Sequence, residues 1–244
     1  MSLIIHPEVN KLKEQLTQLI FEYDNLIGHV CPELERRYVL EFGLYEYELY
    51  KKDLDIDKLK RKLQLIRIEI NHENKINIKE IERKLNKEFE EYEKQLQTQF
   101  DEIKFLEEHE FEKLSPEDTK KLKLLYRKLV KRLHPDLNPN PNFLEISLFY
   151  KAVTSFESGD LKGLESIFAL LPEEKGEEIS EIENLKNLVR DYEEKISDLK
   201  NDYPYNKKKL LENEQLKNEY IDMLIELIED RKKTLNCLKI RLMN

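Results

Sequence analysis

Apolar residues recur at spacings of three and four through most of this chain, the period of one face of an α-helix, and the pattern breaks at proline, asparagine and glycine. A first helix is predicted from about Glu8 to Ile27, followed by a break at Cys31-Pro32. A long helical pattern then runs from Glu33 to about Asn71, with Leu59, Leu63, Ile66 and Ile70 on one stripe, and Asn71-His72-Glu73-Asn74 reads as a turn. From Ile78 to Leu114 the helical pattern returns. Between Leu85 and Ile103 its apolar positions are spaced four-three-four, which fits an eleven-residue repeat and predicts helices nearly straight or weakly right-handed in supercoil.

The middle of the chain carries two short helices. Ser115-Pro116-Glu117-Asp118 has the order of a helix start, with an N-cap serine, proline in the first helical position and acidic residues in the first turn. Leu122, Leu125, Tyr126, Leu129 and Leu133 then form a stripe, while Lys121, Lys123, Arg127, Lys128, Lys131 and Arg132 occupy most of the remaining surface. Pro135 disfavours helical dihedrals at His134, so the helix ends there and His134-Pro135-Asp136 lies in a loop. Leu137 to Asn142 favours turns. A second helix is predicted from Asn142, which has capping-box spacing to Glu145, with Phe143, Ile146, Phe149, Tyr150, Val153 and Phe156 as its apolar face and Gly159 as its stop. Two helices joined by a rigid loop predict an antiparallel hairpin.

A short helix over Leu161 to Leu171, ended by Pro172, leads to a further seam at Ile182, Leu185, Val189, Tyr192, Ile196, Leu199 and Tyr203. Tyr203-Pro204-Tyr205-Asn206 breaks it, and Leu216, Tyr220, Met223, Leu227, Leu235, Leu238 and Leu242 predict a last helix running back along the first. The fold expected is all-α: a helical hairpin over 115–171, flanked by long antiparallel coiled-coil helices in 1–114 and 172–244. Faces this charged need partners, so a homodimer is an alternative to pairing within one chain.

Charge sharpens the picture in one place. The chain has 51 acidic and 42 basic residues, a formal net charge of -9, yet Thr119 to Pro135 holds seven Lys or Arg and no carboxylate, leaving -16 for the rest. A basic patch in an acidic protein suits docking of an acidic partner, whereas the surrounding negative charge disfavours nucleic acid.

The basic helix, the His-Pro-Asp loop and the helix after it resemble the J domain of the DnaJ-like co-chaperones. The family pattern of tyrosine-arginine-lysine-leucine running into His-Pro-Asp, then asparagine and proline, is matched by Tyr126 to Leu129, His134 to Asp136, Asn138 and Pro139. Phe143, Ile146 and Tyr150 match the family's next helix in relative spacing. The likeness spans about 115 to 158. It lacks the family's short first helix in Glu107 to Leu114, where the long preceding helix is expected to substitute, and Leu137 stands where lysine is common. There is also no glycine/phenylalanine-rich linker and no zinc repeat.

The resemblance implies docking on a DnaK-type (heat-shock protein 70) ATPase and stimulation of its ATP hydrolysis. His134, Pro135 and Asp136 would form the contact loop, Arg127, Lys128, Lys131 and Arg132 the docking charges, and Leu122, Leu125, Tyr126, Leu129, Phe143, Ile146 and Tyr150 the hairpin core. The coiled coil would position a client or partner. The competing expectation is a scaffold in which a degenerate J-like domain is only structural or partner-binding material.

Other chemistry has little support in the residues. The five histidines are dispersed, the glutamate pairs arise from charged helices, and the five glycines are isolated, so no catalytic residues, metal site or cofactor are expected. Cys31 and Cys237 are too few for a disulfide framework, and no apolar run approaches membrane-spanning length. A cytoplasmic protein is expected.

Overall fold

A computed structural model of the chain describes residues 7–73, 75–108, 114–138, 140–171 and 182–243, and all regular structure among them is helical. The helices are α1 (Pro7–Asn25), α2 (Cys31–Asn71), α3 (Ile78–Glu108), α4 (Pro116–Leu133), α5 (Phe143–Glu157), α6 (Leu161–Ala169), α7 (Ile182–Asn201), α8 (Lys208–Glu212) and α9 (Glu214–Met243). None of the described helices is long and apolar enough to cross a membrane. The chain divides into two compact units, residues 1–35 with 111–207 and residues 36–110 with 208–244. This division cuts across the successive segments 1–114, 115–171 and 172–244, because each unit draws on distant stretches of sequence.

The expected break at Cys31-Pro32 does not occur. Leu26–Val30 forms one π-helical turn instead, closed by the Cys31 N–H on the Leu26 carbonyl, and α2 continues directly from it. The wider turn accommodates a proline that lacks an N–H and whose ring would crowd a regular helix.

In the first unit, α1 and α7 meet along a seam of Val9, Leu12, Leu16 and Ile20 against Leu185, Val189, Tyr192 and Ile196. Each such buried side chain contributes about 1.5–3 kcal/mol of transfer free energy. Glu8 pairs with Lys186 at 2.8 Å, Gln15 donates to Glu193 at 3.3 Å and Lys200 donates to Glu22 at 2.6 Å. The numbers rise together, so the two helices are parallel. Parallel order also holds in the second unit, where Arg37 reaches the Leu211 carbonyl, Phe42 packs on Tyr220 and Asp53 pairs with Arg231. These pairs correct the antiparallel arrangement expected between the N-terminal and C-terminal flanks: a seam specifies that two faces meet, and the connection between them decides direction.

Within the second unit α2 and α3 are antiparallel. Lys58 pairs with Glu93, Arg61 with Glu88 and Lys62 with Glu82, beside a small cluster of Leu65, Ile81 and Leu85. The turn between these helices falls where the sequence places it, with Glu73 in the left-handed region at φ 54°.

Helices α4 and α5 also form where expected. Ser115 Oγ accepts the Asp118 N–H at 3.0 Å, and Pro116 opens α4. Asn142 and Glu145 complete a reciprocal capping box, with N···O distances of 2.9 and 2.7 Å. Gly159, at φ +71°, ends α5 in a conformation that glycine adopts without a Cβ penalty. Tyr126 stacks on Phe156 while His134 meets Phe149, so the two helices run antiparallel.

The inward face of α5 differs from the one expected. Leu148, Phe149, Ala152 and Phe156 are buried against Leu122, Tyr126, Leu129 and Val130, with Leu125 partly buried beside them. Phe143 is 87% and Tyr150 66% exposed, and Ile146 is only half-buried, so Phe143 and Tyr150 leave the predicted core. Apolar side chains lie nearly all round this helix, and periodicity alone cannot choose among its faces. Helices α1 and α6 complete this core: Leu16, Ile20 and Phe21 of α1 and Leu164 and Ile167 of α6 pack onto α4 and α5. The segment Glu107 to Leu114, where no counterpart of a short first helix is expected, lies largely outside the described residues, and Pro139 and Pro172 lie outside them too.

Candidate functional site: the His-Pro-Asp corner

The corner begins where α4 runs out of backbone donors and acceptors. The His134 N–H closes the last turn on the Val130 carbonyl at 3.0 Å, and His134 then adopts φ -63°, ψ 130°, the extended conformation its following proline favours. Its carbonyl accepts from the N–H groups of Leu137 and Asn138, both at 3.0 Å, and from the Asn138 side chain at 3.2 Å. Leu137 is buried in the core, which anchors the loop's far side. This is a tight, internally bonded turn.

The three residues of the corner have different surroundings. His134 is 9% exposed and lies edge-on to Phe149 at 4.9 Å and to Tyr192 of α7 at 6.4 Å. Pro135 is exposed, and about a third of the Asp136 side chain is open to solvent. Burial holds the His134 imidazole below its ordinary pKa; the Asp136 carboxylate pulls it back up and Lys195 reinforces the depression.

A neutral imidazole fits the hydrogen bonds. Nδ1 accepts the Asp136 N–H at 3.1 Å, which leaves the proton on Nε2. Nε2 faces the Tyr192 hydroxyl at 3.5 Å, and that hydroxyl donates to Asp136 Oδ2 at 3.3 Å. Burial and the nearby Asp136 carboxylate both raise the Tyr192 pKa, so the phenol stays protonated. Histidine, tyrosine and aspartate form a small relay of donors, with its acceptor end reaching solvent.

The basic face of α4 is largely engaged inside the unit. Arg127 sits 4.7 Å over the Phe21 ring, Lys128 is 5.9 Å from the Phe168 ring centroid and Lys131 pairs with Glu14. Arg132 is half-buried and also has an interaction partner. All four belong to the helix that His134 caps, and an exposed ion pair such as that of Lys131 with Glu14 is weak enough to exchange partners.

About two helical turns back along α4 from the corner lies a second polar arrangement that residue patterns do not single out. The Tyr126 hydroxyl donates to Asp24 Oδ2 at 2.7 Å. Desolvation, with the nearby Glu157 adding to it, pushes the Asp24 carboxyl up to about 6 despite the Tyr126 hydrogen bond. Asp24 and Tyr126 are 102 positions apart, and no local signal connects them. Tyr192 is similar: its seam position is legible in the pattern, but its hydroxyl's destination is not.

Among the described residues no group of three or more His, Cys, Asp and Glu side chains converges as a metal site. No protein-family model matches the chain, and neither does any curated protein or solved structure.

Proposed function

We propose that the first unit is a J-like module that docks on a DnaK-type chaperone ATPase and stimulates its ATP hydrolysis, with the rest of the chain holding a client or partner. The observation that carries this reading is the rigid His134-Pro135-Asp136 corner at the end of a basic helix, with Pro135 exposed and the Asp136 carboxylate partly open. An ATPase with an acidic surface meets two kinds of contact here: cations along α4 for encounter, and a fixed carboxylate at its tip for orientation. The role is one of binding and allosteric stimulation, and the hydrolytic chemistry belongs to the partner.

A second reading is favoured by the cover over His134. If the corner serves as a structural clasp between α4 and α7, then the Tyr192 hydroxyl on Asp136 is its purpose, and the chain is an interaction scaffold.

ATP turnover by DnaK separates the two. On the co-chaperone reading the wild-type chain accelerates hydrolysis, and His134→Gln abolishes the acceleration at temperatures well below its own unfolding transition. Tyr192→Phe frees the Asp136 carboxylate from one long hydroxyl hydrogen bond, worth about 1.5 kcal/mol, so the half-maximal concentration for stimulation is expected to fall about ten-fold. No acceleration by the wild type where an active J protein works would sink the reading. A loss of stability in His134→Gln without any ATPase phenotype would establish the clasp.

A further inference from the structure

On the first unit's surface, an open groove of about 540 Å³ runs between α1 and α4, about three helical turns from the corner along α4. Its floor is apolar: Phe21 comes from α1, and Leu124, 58% exposed, points away from the core stripe of its own helix. Its rim is basic. Lys120, Lys121, Lys123 and Arg127 surround the floor against a single carboxylate, Glu117. Lys121 leans toward Asp118 at 3.9 Å and Arg127 lies over Phe21, whereas Lys120 and Lys123 have no ion pair among the described residues.

We propose that this groove binds an acidic amphipathic helix from a partner protein, one apolar side chain seated between Phe21 and Leu124. The register supports it. Lys120, Leu124 and Arg127 fall at i, i+4 and i+7 on one side of α4, so they span about 10 Å along the axis. A bound helix with a leucine flanked one turn on each side by glutamates presents the same spacing in complementary charge. The exposed leucine supplies burial, and Lys120 and Lys123 supply sign selectivity. The surface shares only Arg127 with the chaperone-docking face and does not require that face to be active.

The test is fluorescence anisotropy of a labelled helical peptide carrying a central leucine with glutamates four residues before and three after it. Wild-type protein is expected to bind at micromolar concentration. Leu124→Ser is expected to weaken binding at least ten-fold, as is Lys120→Glu combined with Lys123→Glu, with helix content unchanged by circular dichroism. Replacing the peptide's leucine with serine, or its glutamates with lysine, should lose as much. Equal binding by the variants, or by the lysine peptide, overturns the proposal. Displacement of the peptide by anionic phospholipid vesicles would also overturn it, by assigning the groove to a lipid surface. So would a sedimentation shift to a dimer that Leu124→Ser abolishes, because the occupant would then be a second copy. Leu124→Ser should stimulate DnaK as the wild type does. A wild-type chain that stimulates DnaK but does not bind the peptide overturns the groove, and one that binds the peptide but does not stimulate DnaK overturns the co-chaperone reading.

Discussion

Replacing Tyr126 with alanine is expected to destabilise the first unit by about 4 kcal/mol or more, enough to threaten its folding at physiological temperature. Tyr126 is completely buried, and its ring stacks on Phe156 with centroids 4.0 Å apart and planes 3° from parallel. Phe21 packs against both rings, at 6.5 and 6.0 Å. Truncation therefore opens a cavity where α1, α4 and α5 meet. It also strips Asp24 of its 2.7 Å donor, leaving a mostly buried carboxyl near Glu157 without that bond. Tyr126→Phe isolates the second effect, since the ring stays and only the hydroxyl is lost; a cost of about 1–2 kcal/mol is expected. Urea denaturation followed by circular dichroism measures the loss, and hydrogen exchange of α4 and α5 amides assigns it to this unit. An alanine variant within about 1 kcal/mol of wild type would mean that the stack does not hold the two helices together.

Asp24→Asn is expected to stabilise the protein above pH 6. The carboxyl titrates at about 6 in the fold against an ordinary value of 3.8, so between those values the folded protein binds a proton that the unfolded chain has already released. Its contribution is therefore most favourable below pH 4, declines as pH rises through about 6, and is constant beyond. Two pH units correspond to about 3 kcal/mol lost at pH 8. Asparagine keeps a carbonyl oxygen for the Tyr126 hydroxyl and has no charge to bury. The difference in unfolding free energy between variant and wild type should be near zero at pH 4 and grow to as much as about 3 kcal/mol at pH 8. A difference that is flat with pH would show that Asp24 is charged in the fold at little cost.

Both expectations concern the foundation of the corner more than its surface. The stack fixes α4 beside α5, and the helix pair fixes the ends of the loop. Small changes at the stack should consequently move chaperone stimulation as well as stability. Tyr192→Phe is the opposite kind of change, because it removes a hydroxyl lying over the corner while leaving the ring in the seam between α1 and α7.

Much of the local structure is legible in the residues alone. Ser115 and Pro116 announce the start of α4, Asn142 and Glu145 that of α5, and Gly159 the end of α5, because each satisfies a backbone requirement within four positions of itself. The loop at Pro135 is legible for the same reason. The apolar stripe of α4 can be read where lysines and arginines leave one face free. That of α5 cannot, because FLEISLFYKAVTSFE offers apolar residues in several directions, and the neighbouring helices select Leu148 and Ala152 over Phe143 and Tyr150.

Residue order is enough to make the described chain helical, to set where α4 and α5 begin and end, and to terminate a basic helix in a proline-stiffened corner. Each of these rests on interactions between residues a few positions apart. Packing in three dimensions is needed for the rest: α1 and α6 complete the core around α4 and α5, α1 and α7 run parallel, Tyr192 reaches Asp136 and Tyr126 reaches Asp24. Side-chain periodicity states which face of a helix avoids water. It carries no information on which distant face meets it, in which direction, or where the few buried polar atoms find their partners.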